Sequence, residues 1–162
     1  MPTPKLATFK ERLAAAESVK VQTDLLGLEM GMSVDAAHKK LDPLSDPAKP
    51  FVEEGGRDKN GKAKQGKEQR RVVWQLAKSE FSSIYIKADK ADRITYISGI
   101  LRPGKEIPFA KIGQVEKAPI SSANNVAWDV ARPKKALIRV VARGEERKAS
   151  SITIFVVERP EH

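Results

Sequence analysis

The sequence predicts an α+β domain with short helices packed on an antiparallel meander sheet of about six strands. Two observations predict this class. Apolar residues at helical spacing are confined to short segments, whereas from Arg70 onward β-branched and aromatic residues alternate with polar ones. The alternating runs are separated by short polar turns, which connect antiparallel neighbours. A chain of this length can bury about two-thirds of its surface in one core, so we expect residues 1–162 to form a single domain.

The first predicted helix is N-terminal and lies within residues 1–20. Thr3 is a suitable capping residue, and Pro4 fits the first helical turn. The apolar face of this helix is formed by Leu6, Phe9, Leu13 and Ala16. We expect the helix either to dock on the core or to act as a tether from a membrane anchor.

A second helix is predicted over residues 33–41. Ser33 is a good N-cap, and Pro43 stops the helix after its last turn. The face that this helix buries is formed by Val34, Ala37 and Leu41. The preceding residues 19–32 alternate at first and then contain glycines, so we expect a short strand or a loop there.

Residues 54–69 are predicted to form a mobile loop. The segment contains four glycines, many charges and no large apolar side chain, so it cannot bury enough surface to offset its ordering entropy. The candidate partner-binding residues of the sequence lie in this loop and directly after it: Lys62, Lys64, Lys67, Arg70 and Arg71. These side chains could contact phosphates, and a solvated loop is the competing interpretation.

Two similar sets of strands are predicted after the loop. Residues 70–101 form a first three-stranded meander, and residues 108–157 form a short helix followed by a second meander. Each set opens on a strand centred on a tryptophan, Trp74 and Trp128. We therefore predict a degenerate repeat of one helix plus three strands. Polar turns are expected at residues 89–92 and 143–146.

The charge of the chain suggests two classes of partner without choosing between them. The formal net charge is +9, from 30 Lys and Arg against 21 Asp and Glu. Acidic residues are interleaved with the basic ones along the whole chain, so no segment resembles a basic arm. The excess therefore indicates either a solubility surface or an anionic partner.

No set of residues in the sequence points to a specific reaction, cofactor or metal. The absence of Cys excludes thiol nucleophiles, disulfides and iron–sulfur ligation. His38 lies on the second predicted helix and is expected at the surface, and no Ser lies in a nucleophile-elbow motif. The carboxylate pairs, such as Glu53 with Glu54, are expected in turns beside basic residues. We predict no catalytic residues, no cofactor and no metal site.

The aromatic residues of the strands have two interpretations. Aromatic side chains at strand centres usually belong to the core, although a sheet face can also use them to stack nucleic-acid bases. No glycine-flanked RNA-binding motif accompanies them, so we expect them in the core. The residues concerned are Trp74, Trp128, Tyr85, Tyr96 and Phe155.

Residues 26–41, LGLEMGMSVDAAHKKL, carry a family resemblance. The segment resembles the opening of small bacterial modules built like the outer-membrane assembly lipoprotein BamE, the SmpA/OmlA group, and like the β-lactamase inhibitor protein. The resemblance implies helices on an antiparallel meander and a module that binds proteins or supports an envelope assembly, and it carries over no catalytic residue. The sequence departs from the lipoproteins because it has neither a signal peptide nor a lipidation Cys.

The sequence therefore predicts a non-enzymatic protein-binding or structural module, and the resemblance implies that it belongs to the bacterial cell envelope. Its partner is expected to be another protein that contacts the open sheet face and strand edges. The alternative is a cytoplasmic basic protein that binds nucleic acid through residues 62–71 and 132–148. No apolar run is long enough for a membrane span. A periplasmic location is expected if Met1 is not the natural start, and a cytoplasmic one if it is.

Overall fold

A computed structural model describes residues 20–54, 70–131 and 137–157 of the chain. This part of the chain forms one antiparallel sheet of nine strands with short helices. The strands are β1 (Phe51–Glu54), β2 (Arg70–Gln75), β3 (Phe81–Ala88), β4 (Ile94–Leu101), β5 (Ile107–Pro108), β6 (Ile120–Ser121), β7 (Asn125–Val130), β8 (Ile138–Glu145) and β9 (Lys148–Val156). The helices are α1 (Val34–Leu41) and α2 (Phe109–Ile112), each followed by a 3-10 turn, Asp42–Leu44 and Val115–Lys117.

The strands pair in the order β1-β2-β3-β4-β9-β8-β7-β6, and β5 adds to β9 outside this path. The antiparallel sheet is confirmed and the fold is sheet-rich, of the α+β or mostly-β class, but the sheet has nine strands where about six were predicted. The additional strands β1, β5 and β6 have four, two and two residues. Segments this short are too brief for an alternating pattern to be recognised in the sequence.

Helix α1 follows the predicted design. The Ser33 side chain accepts a hydrogen bond from the Ala36 backbone N–H at 3.1 Å, and the predicted residues Val34, Ala37 and Leu41 are buried. The residues before the helix are a tight turn and not a strand, because Leu25 and Leu28 bridge each other across Gly27, which has φ +83°. Glycine adopts this left-handed conformation without steric cost.

The two tryptophans are fully buried in the core, as predicted. Trp74 lies on β2 and donates its indole N–H to Asp42 Oδ1 at 2.8 Å, in the 3-10 turn after α1. Trp128 lies on β7 and donates to the Gln114 carbonyl at 2.8 Å, beside the 3-10 turn after α2. Both helices therefore pack on the same face of the sheet, and each indole N–H keeps the partner that a buried donor needs.

Two predicted turns have different outcomes. At residues 89–92 the turn is confirmed, because Asp89 Oδ1 accepts hydrogen bonds from the backbone N–H groups of Ala91 and Arg93. The turn at residues 143–146 is wrongly placed, because β8 continues to Glu145 and the reversal uses Glu146 and Arg147. Gly144 suggested a turn but lies in the strand, where another backbone segment approaches it closely.

Other predictions concern segments outside the described residues. The N-terminal helix of residues 1–20 and the loop of residues 54–69 fall almost wholly in residues 1–19 and 55–69, outside the described part of the chain.

Glu53 and Glu54 were expected in a turn but form the end of β1, so that prediction is wrong. Within the described ranges, no helix has the length and apolar character needed to cross a membrane.

Candidate functional site

The sheet face away from the helices presents a continuous row of register-aligned side chains. Because side chains alternate along a strand, the neighbours of the buried Val72, Trp74, Ile84 and Ile86 point to the other side. One residue from each of eight strands follows in register: Val52, Val73, Tyr85, Ser98, Thr153, Val141, Ala127 and Ile120. We call this set the central row and the face that carries it the far face.

A second row runs beside the central row on the far face. It consists of Glu54, Arg71, Lys87, Tyr96, Phe155, Arg139 and Asp129, again aligned by the strand register. Aromatic side chains occupy the middle of this row and charged side chains its two ends. The second row therefore has an aromatic centre with charged side chains on either side of it.

The middle of the far face is an aromatic cluster. The rings of Tyr85 and Tyr96 meet edge to face with centroids 5.8 Å apart, and Phe155 lies 6.3 Å from Tyr96. All three side chains are partly exposed. They were expected in the core, and the structure corrects this, because alternation places them on the opposite side of the sheet from the two tryptophans. Within the described ranges, neither tyrosine hydroxyl has a hydrogen-bond partner.

A lysine lies directly over this cluster. The Lys87 ammonium is 4.7 Å from the ring centre of Tyr96 and 5.9 Å from that of Tyr85, within the range of cation–π attraction. Lys87 forms no ion pair with any residue of the described part of the chain. Its charge is therefore held in place by the two rings and is not neutralised by a neighbouring carboxylate.

The two predicted site residues on β2 point to opposite sides of the sheet. Arg70 is on the helix side, where its guanidinium donates to Glu53 Oε1 and lies 3.6 Å from Asp92 Oδ2. Arg71 is exposed on the far face and is the register partner of Lys87. The other predicted residues, Lys62, Lys64 and Lys67, lie outside the described residues.

The opposite border of the second row carries a buried ion pair. Asp129 is 4% exposed, and its Oδ1 accepts from Arg139 Nε at 2.7 Å. A carboxylate buried this deeply needs such a partner, because moving an unpaired charge from water into the protein interior costs several kcal/mol. The Arg139 guanidinium is therefore paired with Asp129. Arg71 and Lys87 are the accessible cations that remain in this row.

His38 was expected to be a surface residue and is instead partly buried. Its ring contacts Phe51 and Trp74 edge to face with centroids 4.5 and 5.0 Å away, and Nδ1 lies 3.0 Å from Asp42 Oδ1. Asp42 Oδ1 therefore contacts the His38 ring nitrogen and also accepts the indole N–H of Trp74. This cluster holds α1 on the sheet.

The far face could be recognised only from the strand register. Tyr85, Lys87 and Tyr96 are ordinary strand residues in the sequence, and their proximity depends on the pairing of β3 with β4. Within the described ranges, no group of three or more His, Asp and Glu residues could hold a metal ion. Comparison with protein-family models, with curated proteins and with solved structures finds no match for the chain.

Proposed function

We propose that this chain is a non-catalytic protein-binding module that contacts its partner through the far face. The observation that carries the proposal is the partly exposed aromatic cluster of Tyr85, Tyr96 and Phe155 at the centre of the sheet. A buried packing role does not account for three partly exposed aromatic side chains on one face. Tyrosine is enriched at interfaces because its ring supplies apolar area at low entropic cost and its hydroxyl supplies a hydrogen bond.

The edges of the far face extend the same surface. Val52 on β1 and Ile120 on β6 end the central row and are 44% and 48% exposed. A third exposed apolar residue, Ile100 on β4, is 52% exposed and lies in the adjacent register row. Val52 and Ile120 therefore place exposed apolar side chains at the two opposite edges of the sheet, and Ile100 places one near its centre.

A degenerate internal repeat is part of this proposal. The strands β1–β4 follow α1, the strands β6–β9 follow α2, and the two sets meet at the pairing of β4 with β9. A half-turn about the Ser98–Thr153 pair would exchange Trp74 with Trp128 and would map the central row onto itself. The repeat unit that we propose is one helix plus four strands, one strand more than the sequence predicted.

The resemblance of residues 26–41 to the BamE and β-lactamase-inhibitor modules supports a protein-binding role in the bacterial envelope. The structural content of that segment is a turn glycine, the buried Met30 and the capped helix α1. These features position α1 on the sheet and leave the far face for contact. The envelope location rests on the resemblance alone.

Nucleic-acid binding is the second candidate, and Lys87 with Arg71 beside two tyrosines is the observation that favours it. Single-stranded nucleic acids bind sheets on which bases stack against flat aromatic faces. Here the two tyrosine rings meet edge to face, and the Lys87 ammonium lies over the ring of Tyr96. The faces that a base would need are therefore poorly available, and the protein-binding proposal is the better supported.

The test compares two lysine variants that change the charge equally. Lys87→Glu alters the far face, whereas Lys39→Glu alters the exposed side of α1. Each variant is used for affinity purification from a lysate of the source organism, with and without nuclease treatment. We expect Lys87→Glu and Tyr96→Ser to reduce recovery of one specific protein about tenfold, equivalent to about 1.4 kcal/mol, and Lys39→Glu to leave it unchanged.

Two outcomes would contradict the proposal. If Lys87→Glu and Lys39→Glu reduced recovery of the partner equally, binding would depend on the net charge of the chain and not on the far face. Loss of the partner after nuclease treatment, together with tight binding of a single-stranded oligonucleotide by the wild type, would favour the nucleic-acid alternative.

A further inference from the structure

A cavity of about 550 Å³ lies on the helix side of the molecule, away from the far face. It is bounded by α2, by the 3-10 turn that follows α2, by residues 121–123 and by the turn between β8 and β9. Phe109 and Val115 supply apolar surface, and Glu146, Arg147 and Lys148 supply charged groups. Apolar and polar residues line the cavity in equal number, and its volume is within the range of small-molecule sites.

The charged side of the cavity is formed by the two-residue turn between β8 and β9. Glu146 and Arg147 both adopt positive φ angles, +53° and +62°, which cost conformational energy for residues other than glycine. The turn is fixed from both sides: the Arg147 N–H donates to the Ala123 carbonyl at 2.7 Å, and the Phe109 N–H donates to the Arg147 carbonyl at 2.9 Å. The backbone of Arg147 therefore connects two walls of the cavity.

The side chain of Arg147 remains available. In the described part of the chain it has no ion pair and no hydrogen bond. The charge of Lys148 interacts with the Glu106 carboxylate. The pKa of Glu106 is lowered mainly by the backbone N–H groups of Glu106 and Gly104, and to a smaller extent by the positive charge of Lys148. Arg147 is thus the principal donor for an anion in the cavity.

We propose that this cavity binds a small amphipathic monoanion, with its acid group on Arg147 and its apolar body against Phe109 and Val115. The charge at the site favours one negative charge, because Arg147 and Lys148 are opposed by Glu146. An aromatic or short aliphatic carboxylate has this chemistry. The site is separate from the far face and goes beyond the protein-binding function.

The experiment uses two dyes with the same aromatic body. The probe is 8-anilinonaphthalene-1-sulfonate, a monoanion, and the comparison is N-phenyl-1-naphthylamine, which is neutral. Fluorescence titration gives the affinity, and amide chemical-shift changes locate the dye. We expect saturable binding of the anionic dye with shifts at Phe109, Ala110 and Arg147.

The matched variants are Arg147→Gln and Arg143→Gln. Each removes one arginine charge from the β8–β9 hairpin, but Arg143 lies outside the cavity. We expect Arg147→Gln to weaken the anionic dye about tenfold and the neutral dye less than twofold, because a charge-assisted hydrogen bond is lost. Arg143→Gln should change neither affinity by more than about twofold, the effect of a distant exposed charge.

A third variant tests the cavity itself. Ala110→Trp places an indole in the space between α2 and the turn and should abolish saturable binding of both dyes while the far-ultraviolet circular dichroism is retained. The proposal is overturned if the dye perturbs Tyr85 and Tyr96 instead of the cavity amides, if the two arginine variants weaken binding equally, or if the wild type shows no saturable binding.

Discussion

Gly144 lies where the β8–β9 hairpin changes register, and replacing it with alanine should be strongly destabilising. An added Cβ would meet the Lys148 carbonyl oxygen at 1.8 Å and the Ser150 backbone nitrogen at 2.8 Å. Both obstacles are backbone atoms of the paired strand, so no side-chain rotation can relieve the overlap. The strands must separate locally, which would weaken the ladder between Arg143–Ser151 and Gly144–Ala149.

The expected cost of Gly144→Ala is about 3 kcal/mol, at the upper end of overpacking penalties because backbone must move. For a chain of this size that corresponds to a fall in Tm of about 9 °C, taking about 3 °C per kcal/mol. The assay is urea unfolding followed by tryptophan fluorescence, with thermal unfolding as a second probe. An unchanged m-value would show that the loss comes from stability and not from the extent of unfolding.

Gly104→Ala is the matched control for this prediction. Gly104 has a positive φ of +85° but no atom within 4 Å of the added Cβ. Its replacement should cost only about 1 kcal/mol, the usual penalty for a left-handed alanine. If Gly144→Ala costs no more than Gly104→Ala, the close backbone approach at the hairpin is not rigid and the reasoning is refuted.

Three further predictions follow from the core, the charge and one carboxyl group. Trp74→Ala and Trp128→Ala should each lower the free energy of unfolding by about 3–5 kcal/mol in urea titrations, and a near-zero effect would place that indole at the surface. Binding to DNA or RNA should be weak, should disappear by about 0.15 M salt in fluorescence polarisation assays, and should show no preference for duplex or single strand. Tight, salt-resistant binding would instead support the nucleic-acid function. The Glu106 carboxyl should titrate by NMR below the ordinary pKa of a glutamate, because backbone N–H groups of Glu106 and Gly104 stabilise its charged form. Its stabilising contribution is then present above the unfolded-state pKa and is lost as the pH falls through the lowered folded-state pKa, and a normal titration would contradict this.

Much of the local structure could be predicted from the sequence because local physical signals determine it. Ser33 caps α1 through a hydrogen bond three residues away, and Asp89 closes its turn through contacts within four residues. The short helix before Gly113 and the burial of both tryptophans also follow from patterns within a few residues. The short strands β1 and β6 could not be predicted, since their backbone groups are ordered by longer neighbouring strands.

The candidate site could be predicted only in small part. Arg71 lies on the far face as an exposed cation, whereas its neighbour Arg70 is engaged in ion pairs with Glu53 and Asp92. Adjacent residues on a strand point to opposite sides, so a run of basic residues in the sequence does not make one surface. Tyr85, Lys87 and Tyr96 were missed as a site because alternation does not reveal which side of a sheet the helices cover.

By itself, the sequence determined the capped helix, the turn at residues 89–92, the buried tryptophans and the antiparallel, strand-rich character of the fold. The tertiary structure decided the pairing of β4 with β9, whose paired residues lie more than fifty positions apart in the sequence. This pairing places Ser98 against Thr153, with 3.1 Å between their hydroxyls. That long-range pairing aligns the central row across eight strands and creates the far face. Such pairing depends on the summed burial of both halves in one core, which no local stretch of residues encodes.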